Sequence, residues 1–216
     1  MESIIQTITV YALPVLFGIT LHEAAHGYVA RMFGDPTAYQ MGRISLNPVR
    51  HIDPIGTIVV PLVLLFSTKL MGGAGLLFGW AKPVPVDWSR LRNPKRDMLW
   101  VALAGPGSNM VMAILWALSL RFLMEFGATP TDFWVRMAIA GIQVNLILMA
   151  LNLLPLPPLD GGRIVFSLLP GKAAYQYARI EPYGLMIIIV LMLTGVLWTL
   201  LRPLLMVGQG IVRWFL

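Results

Sequence analysis

The sequence contains no cysteine, so it can form no disulfide framework and offers no thiolate to a metal; any transition-metal ligands must be histidine or carboxylate. Histidine is itself scarce, with three in 216 residues. Charge is scarce too: 12% of residues are charged against 57% hydrophobic, and the mean hydropathy is +0.75. A chain this apolar, with its hydrophobic residues gathered in several long runs, is an integral membrane protein and not a soluble enzyme with an anchor. The formal net charge of +6 does not point to nucleic acid, because the cations lie between apolar runs and form no basic, aromatic-laced stripe. They are assigned to topology. The N-terminus does not read as a cleaved signal, since Glu2 stands where a basic n-region belongs. No internal repeat, Ser-rich linker or shift of composition marks a second domain, so residues 1–216 are expected to form a single membrane domain.

Five apolar segments organise the chain, at about residues 4–33, 55–70, 98–124, 133–154 and 183–205. The first is long enough to span roughly 30 Å of hydrocarbon as a helix, and Gly34-Asp35-Pro36 is expected to stop it. Between residues 39 and 48 the rhythm changes: Arg43 and Ser45 alternate with Ile44 and Leu46, which suits a short edge strand. Segment two is short for a full crossing and leads into Gly72-Gly73-Ala74-Gly75, so residues 55–80 read as a re-entrant element. Lys82-Pro83-Val84-Pro85-Val86 is expected to be extended, because two prolines at this spacing disfavour helix. With that topology the loops 31–53, 82–97 and 160–181 share one side, and they hold three, five and three of the sixteen Lys and Arg residues. The positive-inside rule makes that side cytoplasmic. The expected fold is an all-α polytopic membrane protein with about five membrane helices and a small edge-strand or re-entrant element between the first and third segments.

Within segment one stands Leu21-His22-Glu23-Ala24-Ala25-His26-Gly27. An ionisable group at membrane depth costs roughly 2.5–3.5 kcal/mol on insertion scales, so a cluster of three demands a compensating role. His22 and His26 lie one turn apart on one helical face with Glu23 beside them, the H-E-x-x-H arrangement in which two neutral imidazoles hold Zn²⁺ and a carboxylate can take a proton from water. A catalytic site needs one more protein ligand. The candidates are His51 and the acids; Asp160 is the best of them, since it follows segment four on the same expected side and glycine at 161 permits close backbone approach. His51 is otherwise a turn histidine, with a role as an extra ligand or gate as the alternative.

These residues, together with Asn152-Leu153-Leu154-Pro155-Leu156-Pro157-Pro158-Leu159-Asp160-Gly161, resemble the site-2 protease family of intramembrane zinc metalloproteases. The likeness extends over residues 42–48, 51–56 and 78–86 and over Ala104-Gly105-Pro106-Gly107-Ser108-Asn109, and it fades beyond about Phe166. The resemblance implies one zinc ion per chain on His22, His26 and Asp160, Glu23 as general base, and Asn152 near the scissile peptide. It implies a metal within the lipid bilayer toward the cytoplasmic side, in a multi-pass cell-membrane protein whose substrates are single-span membrane proteins. It also implies that the substrate helix unwinds locally, because its carbonyls are otherwise closed in i to i−4 bonds. Arg43, Ile44, Ser45 and Leu46 are the candidate edge for holding the unwound strand by β-addition. Asn109 and Asn145 are interhelical hydrogen-bond partners, Asn109 with a substrate-site role as well. The larger family members carry a PDZ or regulatory domain, and none is expected in this chain. The competing function is a non-proteolytic membrane zinc protein, a metal carrier or a helix-binding family member that does not cut.

Overall fold

The computed structural model describes residues 4–59, 63 and 82–216. Helix α1, Ile4–Met32, is roughly 43 Å long at 1.5 Å per residue and contains Pro14. It stops where expected. Gly34 takes φ 110°, and the Gly34 and Asp35 amides donate back to Arg31 O (3.1 Å) and Ala30 O (2.9 Å), closing the last turn as a Schellman motif. A single turn, α2 at Thr37–Gln40, follows. The edge strand expected at residues 43–46 is not formed: Arg43, Ile44 and Ser45 lie in irregular backbone, and the described residues contain no strand. The Arg43 guanidinium instead donates to the Lys82 (3.1 Å) and Pro83 (3.3 Å) carbonyls, so a side chain ties this segment to its neighbour where a ladder was expected.

Of the re-entrant element expected at residues 55–80, only its start is described, as a π-helical stretch Pro54–Val59 whose first amides are accepted by Asp53 Oδ1; the rest lies outside the described residues. Residues 82–87 are not helical, in keeping with their prolines, and lead into a 3₁₀ turn at Trp88–Arg90.

Three helices then build the body. Helix α3 spans Pro94–Glu125 with Pro94 in its first turn, where a missing N–H is harmless, and Asp97 accepts from the Asn93 amide at 2.7 Å. Helix α4 spans Phe133–Asn152, and α1, α3 and α4 pack pairwise on one another. After the irregular residues 153–159 come α5, Asp160–Leu168, and α6, Gly171–Ala178. The last apolar segment is two helices, not one. Gly195 at φ 75° separates α7, Gly184–Leu193, from α8, Val196–Arg213, because a left-handed residue ends a right-handed helix.

By length and composition four stretches suit a membrane crossing among the described residues: Ile5–Met32, Pro94–Glu125, Phe133–Asn152 and Gly171–Leu193. Four of the about five expected are thus found among the described residues; segment two lies mostly outside them, and segment five is divided at Gly195. Large apolar side chains face outward along these stretches, among them Ile8, Phe122, Trp134, Met186 and Leu193, as lipid-facing surface requires. The main core joins Ala113 and Ala117 of α3, Leu146, Met149 and Ala150 of α4, and Leu197, Leu201 and Val212 of α8.

The three cation-bearing loops meet at one end of the bundle. The Asp87 amide donates to the buried Asp35 carboxylate at 2.7 Å, the Arg92 amide to Phe33 O at 3.0 Å, and Lys95 Nζ to the Leu169 carbonyl.

Candidate metal centre

His22 and His26 lie about three and two turns before the Schellman close of α1 and face α3 and α5. Their outer ring nitrogens are fixed first. The His26 Nδ1 lies 2.7 Å from the Val101 carbonyl, which can only accept, so this nitrogen carries the hydrogen. Val101 stands five residues before Pro106, whose missing N–H leaves the Ala102 carbonyl without its helical donor and loosens the turn at this point of α3. The His22 Nδ1 lies 2.7 Å from Asn109 Oδ1, and the orientation of that amide is decided elsewhere: its Nδ2 donates to the Gly18 carbonyl at 3.0 Å and to Asn145 Oδ1 at 3.1 Å. Asn145 completes the chain by donating to Gly141 O at 2.9 Å. Carbonyls of α1 and α4 therefore force Asn109 Oδ1 toward His22, and the ring must donate through Nδ1.

In neutral imidazoles both Nε2 atoms are then bare lone pairs. They stand 3.1 Å apart, and each is 3.2 Å from Asp160 Oδ2. The Asp160 Oδ2 is buried and has no hydrogen-bond partner. Three electron-rich atoms in a triangle without a proton among them repel one another, and a cation in their midst turns that repulsion into attraction. The space on their open side is preserved by the absence of a side chain. A Cβ on Gly105 would stand 2.4 Å from His26 Nε2 and 2.6 Å from His22 Nε2. Among the described residues this is the one group of His, Asp or Glu side chains with the spacing of a metal site.

Asp160 reaches the histidines because the residues after α4 turn back and α5 begins at the acid itself. The Gly161 that follows is required by contact: a Cβ there would meet the Leu154 and Leu153 carbonyls at 2.2 and 2.4 Å. Glu23, half-buried, sits at the edge of the triangle, and its Oε2 accepts from the Val84 amide at 2.7 Å, anchoring the 82–87 segment at the site. His22, Glu23, His26 and Asp160 share a cavity of about 140 Å³ with Val84, Trp88, Asn152 and Arg163.

A sequence profile of peptidase family M50 matches residues 125–195. Over 201 residues, 88% of this chain and 84% of the relative, the sequence is 37% identical to the provisionally named zinc metalloprotease YwhC of Bacillus subtilis. The chain belongs to peptidase family M50, the site-2 protease family. Two further relatives provisionally named as zinc metalloproteases are Rip2 of Mycolicibacterium smegmatis, 29% identical over 84% of this chain and 66% of its own length, and MJ0611 of Methanocaldococcus jannaschii, 26% identical over 68% and 64%. No solved structure matches. Zinc fits this M50 chain on the chemistry of its donors as well as on the names of its relatives, since two imidazoles and one carboxylate are a catalytic zinc set that leaves a position open.

The other expected site residues are placed differently. His51 is 2% exposed and is not among the residues lining the metal cavity; its Nε2 donates to Ser45 O at 2.8 Å and its carbonyl accepts from the Lys82 amide at 2.9 Å, so it fastens the 43–51 segment to the start of the 82–87 segment. Asn109, expected near substrate, is fully buried and all its described bonds are to the protein interior. Asn152 does line the cavity and donates one amide hydrogen to Leu148 O at 3.0 Å. Trp88 and Arg163 were not singled out for the site. The signal for Arg163 was its i+3 spacing from Asp160, which puts both on one face of α5.

Proposed function

We propose that the chain is an intramembrane zinc endopeptidase that hydrolyses peptide bonds within or next to the transmembrane helices of single-span membrane proteins, in a multi-pass cell-membrane protein with its site toward the cytoplasmic side. One observation carries the reading: three donor atoms stand 3.1–3.2 Å from one another beside Glu23, with both imidazole Nδ1 hydrogens already committed. Zinc, when bound by His22, His26 and Asp160, would supply Lewis acidity to the substrate carbonyl and lower the pKa of a water nearby.

The chain's own residues do the rest. Glu23 accepts a proton from the attacking water through the carboxylate oxygen that Val84 does not occupy. The water oxygen bonds to the carbonyl carbon and the π pair moves onto the carbonyl oxygen. When the C–N bond breaks, Glu23 returns the proton to the departing nitrogen. Asn152 keeps one amide hydrogen for the carbonyl oxygen as it gains charge. The substrate enters unwound, since a closed helix presents no accessible carbonyl. The cations carried by residues 31–53, 82–97 and 160–181, segments that touch one another at one end of the bundle, favour the cytoplasmic assignment.

Glu23→Gln tests the reading cleanly, because the glutamine oxygen can still accept from Val84 while its basicity is gone. The variant should keep its zinc, as measured by metal analysis of the purified protein, and lose cleavage of a membrane-embedded reporter to background. Wild-type cleavage by Glu23→Gln would overturn Glu23 as the general base, and zinc uptake into proteoliposomes by a protein that cuts nothing would instead establish the carrier reading.

A further inference from the structure

One charged group at the cavity has no part in the scheme above. Arg163 is half-buried, lies one turn along α5 from Asp160, and lines the cavity that holds the donor triangle. It makes no ion pair with any described carboxylate. Its guanidinium carbon sits 4.9 Å from the centroid of Trp88, and that contact holds the group in place without using its N–H donors. Trp88 is itself fixed: Asp87 caps its turn by accepting from the Ser89 amide at 3.0 Å, and the Asp87 amide is bound to buried Asp35 at 2.7 Å. A permanent cation with five donors, immobilised at the rim of a small cavity and left unpaired, is a group reserved for an anion that arrives.

The same wall separates two spaces. Trp88, Pro158 and Arg163 line both the metal cavity and a second cavity of about 240 Å³, where Phe166, Met98, Tyr177 and Glu181 complete the lining. Glu181 is the one acid there, and it forms no salt bridge with Arg163. In the transition state of the proposed chemistry, negative charge develops in the metal cavity on the carbonyl oxygen under attack. Asn152 is a neutral donor with one of its two amide hydrogens already used, so it stabilises that charge weakly on its own.

We propose that Arg163 is a catalytic residue whose guanidinium, held against Trp88, donates to the substrate carbonyl oxygen as it becomes an oxyanion. The assignment rests on the proteolytic reading. The interaction is stronger in the transition state than with the neutral peptide, so it acts on kcat and not on KM.

The test uses the full chain in mixed micelles with a fluorogenic peptide whose donor and quencher flank an apolar segment, together with a phosphinic peptide as a tetrahedral, anionic probe. Wild type, Arg163→Gln and Arg163→Lys are compared after each has been analysed for zinc. Arg163→Gln is expected to bind zinc as wild type does, to keep KM within about twofold, and to lose about a hundredfold in kcat, the effect of removing one oxyanion donor. Its affinity for the phosphinic peptide should fall by a similar factor. Arg163→Lys should fall between the two, because an ammonium keeps the charge and loses the planar fork. Wild-type kcat in zinc-loaded Arg163→Gln overturns the proposal. So does a rise in KM alone, a loss of kcat with unchanged phosphinic-peptide affinity, or loss of zinc from both variants. Zinc-loaded wild type that cuts nothing overturns this proposal and the proteolytic reading together.

Discussion

The part of the molecule built from α1, α3, α4 and the start of α5 differs in kind from the part formed by α6 and α7. In the first, Thr20, His22, His26, Asn109, Asn145 and Asp160 are buried, and His22, His26, Asn109 and Asn145 have their hydrogen-bonding atoms directed by named partners on neighbouring helices. In the second, α7 reads Gly184-Leu-Met-Ile-Ile-Ile-Val-Leu-Met-Leu193, carries no polar side chain, and buries only Gly184 and Ile188. The difference follows from the solvent. Lipid tails accept an apolar side chain in almost any orientation, so α7 is free of residue-by-residue demands. A polar group in the same medium has few satisfied arrangements, and each buried partner narrows the choice. The rigidity of the site is a consequence of where its polar atoms can find partners.

Substitutions can break or sharpen that contrast. The largest effect outside the donors themselves is expected at Gly105. An alanine Cβ there falls 2.4–2.6 Å from both His Nε2 atoms, whose rings are pinned at Nδ1 and cannot swing away. Overpacking of about 1–3 kcal/mol concentrated on the metal position should lower zinc affinity about ten- to a hundredfold in a chelator competition. Gly107→Ala is the control: nothing lies within 4 Å of its Cβ, and zinc affinity should be unchanged. Equal effects at the two glycines would remove the special standing of the site.

Asn109→Ala comes next. It leaves the His22 Nδ1 hydrogen, the Gly18 carbonyl and Asn145 Oδ1 without their partner in a buried place, and frees the ring to rotate. Loss of such an outer partner should weaken zinc binding about tenfold, read by the same competition. An unchanged affinity would show that the ring is held by packing alone. The smallest effect is expected on α7, where Leu193→Ala, at a side chain 66% exposed, should change stability by about 0.5 kcal/mol or less in a thermal or denaturant titration in micelles. A change of several kcal/mol there would mean that α7 is specified as tightly as the site.

The donors were legible in the chain because the H-E-x-x-H spacing is a helical one and an apolar helix is the expected state of residues 4–33. The helix end marked by Gly34 was legible for the same reason: it depends on local backbone geometry. The edge strand at residues 43–46 was a misreading of period two over four residues, too short a run to outweigh side-chain ties such as that of Arg43 to the 82–83 carbonyls. The break at Gly195 lay hidden inside a continuous hydrophobic run, since hydropathy reports partition into lipid and is silent about the left-handed residue that divides α7 from α8.

By itself, then, the sequence determined that this is a membrane protein with two imidazoles and a carboxylate on one helix, that no thiolate can complete the set, and that Asp160 is the acid best suited to do so. Tertiary structure alone decided the rest. Only the folded helices bring Val101 and Asn109 to the Nδ1 atoms and so fix which nitrogen carries a lone pair. Gly105 is kept bare by the rings opposite it, and Trp88 and Arg163 are joined at the cavity rim across 75 residues of chain. These are relations between atoms on different elements, and periodicity, which encodes how one element faces its surroundings, does not carry them.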